Sequence, residues 1–272
     1  METFVIEPPR RLNLPRWAIL WRARDVVTRL AQRDIIVRYR QTVLGAAWVI
    51  IQPVMSAGVF SLVFGTVAHL SSDGLPYFLF SLAGTLAWNL FNNTLTRASG
   101  SLLQNQALVS KVFFPRILVP ISTAASTLLD FGVGLGVAII LLFVYGVNPG
   151  WPVLLLPVWS ALIAVIAIGV GLVTAAMTVK YRDVGYVLPW ATQILLYASP
   201  VAYTISSVPS GLRWVFEANP ITWFLEAFRW SLVGTEAPPL WQIGGLVVFA
   251  FGVLFVGVVY FQSHEREFAD VI

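Results

Sequence analysis

The sequence predicts an all-α membrane protein with six transmembrane helices, and three observations carry that prediction. Hydrophobic residues make up 58% of the 272 residues and charged residues only 11%, with a mean hydropathy of +0.79. Soluble domains run near 25% charged, so this chain lacks the residues to build a water-facing surface, and lipid is its solvent. The apolar residues fall into blocks long enough to cross a bilayer core, which takes roughly 20 residues of helix. The basic residues gather on one set of alternating connections between those blocks.

The first element in chain order is an N-terminal arm, 1–43. It carries nine arginines in its first forty residues and no long apolar run, unlike a secretory signal, so this end is expected to stay in the cytoplasm. Within it, 17–41 predicts an amphipathic interfacial helix. At about 100° per residue, Ile19, Val26, Leu30 and Val37 share one side, and Arg22, Arg29, Arg33 and Arg40 form an adjoining stripe. Arg24, Ile35, Ile36 and Arg38 break that division. The helix is either an anchor on anionic lipid or an anchor that also docks a cytoplasmic partner.

The transmembrane domain is placed at 44–262, with spans at 44–68, 76–96, 117–145, 153–178, 187–205 and 242–262. The third is long enough to tilt, and the fifth is interrupted by Pro189 and Pro200. Between the fifth and sixth lies the apolar run Ile221 to Val233, which carries Glu226 and Arg229. A run of that length is more often re-entrant than spanning, so short re-entrant helices are expected there. A cytoplasmic tail, 263–272, ends the chain.

Orientation follows from the rule that basic loops stay inside. With both termini cytoplasmic, fifteen of the seventeen basic residues fall on the inner side and only Arg213 and Arg229 on the outer. Aromatic residues gather near predicted span ends. They form an interfacial belt, or, on 190–230, they line a sugar path by packing against the apolar face of a ring.

Several chemistries are excluded. Cysteine is absent and the two histidines, His69 and His264, are far apart, which removes disulfides, thiolate sites and a histidine metal site. A phosphate-cradling loop ends in Lys followed by Ser or Thr, but Lys111 precedes Val112 and Lys180 precedes Tyr181. The chain therefore carries no ATP site of its own, no nucleophile–base set and no cofactor. Asp130 is the one ionisable group near the middle of a span, where such a group faces the bundle interior or a cavity. It is satisfied by Ser122, Ser126, Thr127 or another helix, or it serves a substrate path; a proton relay would need partners that are missing. Gly132 and Gly136 make a G-x-x-x-G spacing, suited to close helix approach within the chain or at a dimer seam.

Four phrases resemble the polysaccharide and polyol-phosphate ABC exporter permeases, which belong to the ABC-2 type. They are Arg33-Asp34-Ile35-Ile36-Val37-Arg38-Tyr39-Arg40-Gln41-Thr42-Val43-Leu44-Gly45 with Trp48 and Gln52-Pro53; Lys111-Val112-Phe113-Phe114-Pro115-Arg116 with Pro120 and Asp130; Val179-Lys180-Tyr181-Arg182-Asp183 with Gln193, Ser199-Pro200-Val201 and Pro209; and Asn219-Pro220-Ile221-Thr222 leading into Glu226-Ala227-Phe228-Arg229. They occur in order across roughly 33–230.

The resemblance implies a homodimer in the bacterial inner membrane, bound to two separate ATPase subunits that hold the ATP and magnesium. It implies an ATPase-coupling segment at Leu102, Gln104, Asn105, Leu108 and Lys111. It implies a cytoplasmic gate at Arg33, Asp34, Arg38, Tyr39 and Arg40, and an outer re-entrant region at Asn219, Pro220, Glu226 and Arg229. The first and fifth spans would line the channel, making Trp48, Trp190, Tyr197 and Tyr203 candidates for the substrate path beside Asp130 of the third. The expected cargo is a glycan on a polyprenyl diphosphate, O-antigen-like or a cell-wall galactan, with membrane lipid but no nucleic acid as further partner. A drug or small-lipid exporter of the same type, and a stand-alone membrane flippase or enzyme, are the alternatives.

Overall fold

The computed structural model describes residues 24–40, 47–111, 114–265 and 268. Among them there is no strand, and the elements are helices throughout. Helix α1 is Arg24–Arg40 and α2 is Ala47–Phe60, extended by wider π-type turns over Ser61–Val67. They are followed by α3 (Tyr77–Gln104), α4 (Gln106–Lys111), α5 (Leu118–Tyr145), a 3₁₀ turn at Trp151–Leu155 leading into α6 (Leu156–Lys180), and α7 (Val184–Tyr197). A second 3₁₀ turn at Ile205–Ser207 precedes α8 (Arg213–Ala218), α9 (Pro220–Val233) and α10 (Leu240–His264).

Local chemistry sets several of these ends. Gly146 takes the left-handed conformation (φ 67°) after α5. Its N–H bonds to the Phe143 carbonyl at 3.2 Å and that of Val147 to Leu142 at 3.0 Å. That double closure satisfies carbonyls a helix end would otherwise strand. Asn219 opens α9, its Oδ1 accepting from the Ile221 N–H at 3.0 Å, with Pro220 in the first turn, where no N–H is needed. Gly234 (φ 75°) closes the same helix.

Among the described residues, four segments are long and apolar enough to cross a membrane: Ala47–Val67, Leu118–Tyr145, Trp151–Lys180 and Leu240–His264. They correspond to the predicted first, third, fourth and sixth spans. The other two predicted spans differ from expectation. Helix α3 begins where predicted but runs on to Gln104; at 28 residues it is about 42 Å long, with a polar mix that lowers its hydropathy. Helix α7 stops at Tyr197, short of the predicted 205, and has 14 residues, about 21 Å. Pro200 disfavours helix in the residue before it. The predicted apolar run at 221–233 is a helix, α9, one residue longer at its start.

Helix α3 stands at the centre, packed against α2, α5, α6, α7 and α9, while α6 also packs along α10. Their shared core contains Ala83, Trp88, Phe91, Ile163, Phe224 and Phe228, all buried. A second cluster joins Leu30 of α1 to Leu102, Val109, Leu172, Phe261 and Phe268. In lipid, apolar side chains gain nothing by leaving solvent, so helices associate through tight packing at small residues. Gly169 and Gly257 do this between α6 and α10: a Cβ on Gly169 would stand 2.8 Å from the Leu254 nitrogen. On α5 it is Gly134 that meets α3, through Leu86, whereas Gly132 and Gly136 have no such neighbour within 4 Å. The G-x-x-x-G pair therefore faces away from the chain's own core.

Candidate functional site

At the end of α3 bearing Arg97 and Gln104, Asn105 joins two helices. Its Nδ2 donates to the Ser101 carbonyl at 2.8 Å, closing α3. Its own carbonyl accepts from Leu108 at 2.9 Å and Val109 at 3.0 Å, opening α4. Its Oδ1 accepts from Arg33 Nη2, and the same guanidinium pairs with Asp34 at 2.9 Å. One amide thus ties α1 to the junction of α3 and α4. Beside it, Arg33, Asp34, Arg97, Gln104, Asn105 and Thr123 line a cavity of about 480 Å³.

Arg97 carries this polarity inward. Its Nη1 donates to Ser126 Oγ at 3.1 Å and its Nη2 stands 3.8 Å from Asp130 Oδ2. Thr94 and Thr127 share a hydrogen bond of 2.8 Å one turn away. Asp130 then borders a second, small cavity of about 40 Å³ between α2, α3 and α5, with Gln52, Asn89, Asn93 and Thr127. Of the partners expected for Asp130 from sequence, another helix supplies one, and Ser126 serves Arg97. Polar groups at membrane depth face protein or cavity, and here they form one seam.

On the tail side of the same end, Arg116 donates its backbone N–H to Glu265 Oε1 at 3.0 Å and Nη1–H to the Glu265 carbonyl at 2.6 Å. Phe268 packs edge-on against Phe261, with centroids 5.2 Å apart. Burial holds the Glu265 carboxyl above its ordinary range, against the opposing pull of Arg116. The tail is thereby fastened to the chain just after α4.

At the opposite end, α9 is lashed to the break after α7. Asn219 Nδ2 donates to Ser199 Oγ at 3.0 Å. Arg229, 3% exposed, donates through Nη2 to the carbonyls of Pro200 and Val201 and lies over the Phe80 ring, 4.1 Å from its centroid. Gly84 leaves the space for this: a Cβ there would stand 2.5 Å from Arg229 Nη2 and nearer still to the Val201 oxygen. Trp159 Nε1 donates to Ser231 Oγ at 2.7 Å, fixing α9 to α6.

The residues predicted for function fall as follows. Leu102 is fully buried and Gln104 exposed, both on α3; Asn105 is the junction; Leu108 and exposed Lys111 lie on α4. The predicted coupling segment therefore spans two helices, and Leu102 packs inside the core. Arg33 and Asp34 border the larger cavity, while the side chains of Arg38, Tyr39 and Arg40 lie outside the described residues. Val26 and Leu30 turn inward as predicted and Val37 is exposed; Ile19 and Arg22 lie outside the described residues. Trp48, Trp190 and Tyr197 are exposed on α2 and α7, separate from Asp130. Tyr203 folds back, donating its hydroxyl to the Tyr197 carbonyl at 2.8 Å.

Sequence reasoning missed Asn89, Asn93 and Gln52. The signal was present: Asn89, Asn93, Arg97, Ser101 and Asn105 recur every fourth residue, a polar stripe that winds along a helix.

Fold and site together define a polytopic membrane protein built around a buried polar seam. The family model described as ABC-2 type transporter matches residues 26–233, and the chain belongs to that family. It is 25% identical over 255 residues to the O-antigen export system permease protein RfbA of Myxococcus xanthus, covering 93% of this chain and 97% of that one. It is 25% identical over 250 residues to the polysialic acid transport protein KpsM of Escherichia coli, covering 88% and 93%. To the capsule polysaccharide export inner-membrane protein BexB of Haemophilus influenzae it is 23% identical over 248 residues, covering 89% and 91%.

Proposed function

We propose that this chain is the membrane permease subunit of a bacterial ABC exporter that moves a lipid-linked polysaccharide across the inner membrane. The observation that carries the reading is the near end-to-end match to permeases whose names specify O-antigen or capsule export, on a chain with no phosphate-cradling loop of its own. It is not itself an enzyme; ATP and magnesium belong to a separate ATPase, two copies of which serve a dimer of this chain.

In this reading α3 and α7 complete a set of six spans, with α9 re-entrant at the outer mouth and both termini cytoplasmic. Helix α4 is the coupling element. A short helix started and held by Asn105 moves as one body with the end of α3, so a push on α4 from the ATPase is felt along the Arg97–Asp130 seam. The exposed aromatic faces of α2 and α7 meet the second copy around the channel. Aromatic faces suit a sliding glycan, because they bind sugar rings weakly and without fixed register.

The test is co-expression with the ATPase encoded beside the gene, followed by purification through a tag on this chain alone. A two-plus-two complex whose ATPase responds to lipid-linked glycan is the expected result. A chain that purifies alone under gentle detergent and moves lipid without ATP would overturn the reading in favour of a stand-alone flippase. A complex stimulated only by drugs or small lipids would change the cargo class.

A further inference from the structure

The outer end of the bundle holds a cavity that the coupling and seam residues leave unused. It lies between the loop before α3, the segment after Pro200 and the end of α9. Its volume is about 360 Å³, and Asp73, Thr204, Ser206, Glu226, Arg229 and Glu236 line it. Small-molecule sites begin near 300 Å³, so one hexose-sized ring fits within it.

The pocket is built on a fixed group. The Arg229 guanidinium is held by two backbone carbonyls and the Phe80 ring, so it cannot swing into solvent. A guanidinium offers five donors, and the Nε–H of Arg229 has no partner among the described residues. Buried donors without partners are rare and call for a reason. Around it stand three carboxylates, none within ion-pair distance of Arg229. They form no cluster suited to a metal ion among the described residues.

A sugar hydroxyl both donates and accepts. A polyol can therefore donate to Asp73, Glu226 and Glu236 while accepting from Arg229. The formal charge of the four groups is negative, so a carboxylated or phosphorylated sugar would meet repulsion. We propose that this pocket is an exit subsite for one neutral sugar unit of the exported glycan. The inference rests on the polysaccharide reading above and narrows it to uncharged cargo.

Saturation-transfer NMR on the permease–ATPase complex in nanodiscs tests it, with galactotetraose and tetragalacturonate as probes that share a ring and differ by a carboxylate. The neutral probe should bind, and the acidic one should bind roughly tenfold more weakly, the size of a like-charge penalty near one pKa unit. Asp73→Ala with Glu236→Ala changes two exposed loop positions that the core does not need, and should cost the neutral probe a similar factor through lost acceptors. Equal binding of both probes, no binding of either, or undiminished binding to the double variant would each overturn the proposal. Export of lipid-linked glycan by the same preparation separates the two levels. If export persists, the subsite alone falls; if no glycan moves, the functional reading falls with it.

Discussion

Replacing Gly84 by alanine should destabilise the protein by several kcal/mol, although the change adds one methyl group. The new Cβ would stand 3.0 Å from the Val201 carbonyl carbon, 2.5 Å from Arg229 Nη2 and closer again to the Val201 oxygen. The first obstacle is backbone, which cannot rotate away like the tip of a side chain. Forcing a methyl into a filled space costs about 1–3 kcal/mol, and losing a hydrogen bond to a charged donor costs about 1.5–3 kcal/mol more. At roughly 2–4 °C per kcal/mol for a chain of this size, the melting midpoint should drop by roughly 5–20 °C. Eleven tryptophans make intrinsic fluorescence during heating a suitable assay in nanodiscs. The same substitution in an Arg229→Met background should cost less, because the guanidinium share of the clash is gone, and the difference should fall near 0.5–3 kcal/mol. An unchanged midpoint for Gly84→Ala, or strict additivity with Arg229→Met, would refute the claim that Gly84 exists to admit this guanidinium.

Three further outcomes are expected. Leu108→Arg should leave ATP hydrolysis by the complex intact while abolishing export, and wild-type export in that variant would remove α4 from the coupling role. Arg97→Met should destabilise by about 2 kcal/mol or more by removing the cation beside Asp130, and Arg97→Met with Asp130→Asn should recover much of that loss; a double variant worse than the single would sink the pairing. Burial raises the Glu265 carboxyl above its ordinary value of 4.5, so the folded state holds that proton more tightly than the unfolded. Stability should therefore decline as pH rises from about 4.5 through the raised value, and Glu265→Gln should flatten that slope, read by thermal unfolding across pH.

Four of the helices were legible because their requirement is a single property. A stretch such as Leu118–Tyr145 has only to be apolar for long enough, and hydropathy reports that directly. The apolar run Ile221 to Val233 was legible as a short helix for a similar reason, and α9 starts one residue earlier. Helix α7 was misjudged at its end because Pro200 is felt two residues before it, and its apolar neighbours continue to Val201. The burial of Leu102 was not legible because exposure depends on which face of α3 meets α6, and a segment that continues a long helix carries no mark of that. Contacts such as Arg116 with Glu265 join residues 149 apart in sequence, and nothing local announces them.

Helix α3 shows why the remaining part resisted reading. A helix at the centre of a membrane bundle need not face lipid, so the pressure that keeps lipid-facing helices apolar does not act on it. Freed from that pressure, it holds Asn89, Asn93, Arg97, Ser101 and Asn105 along one winding stripe while Trp88, Phe91 and Ala98 pack beside it in the core. The polar repeat lowers its hydropathy, and for that reason its last eight residues fell outside the predicted span. The same polar repeat that shortened the predicted span is the one that connects the Asn105 junction to Asp130. In a membrane protein, the helix whose local pattern departs furthest from its surroundings is where a function should be sought first. Here that helix links the α1–α4 junction at Asn105 to the Arg229 contacts at Gly84.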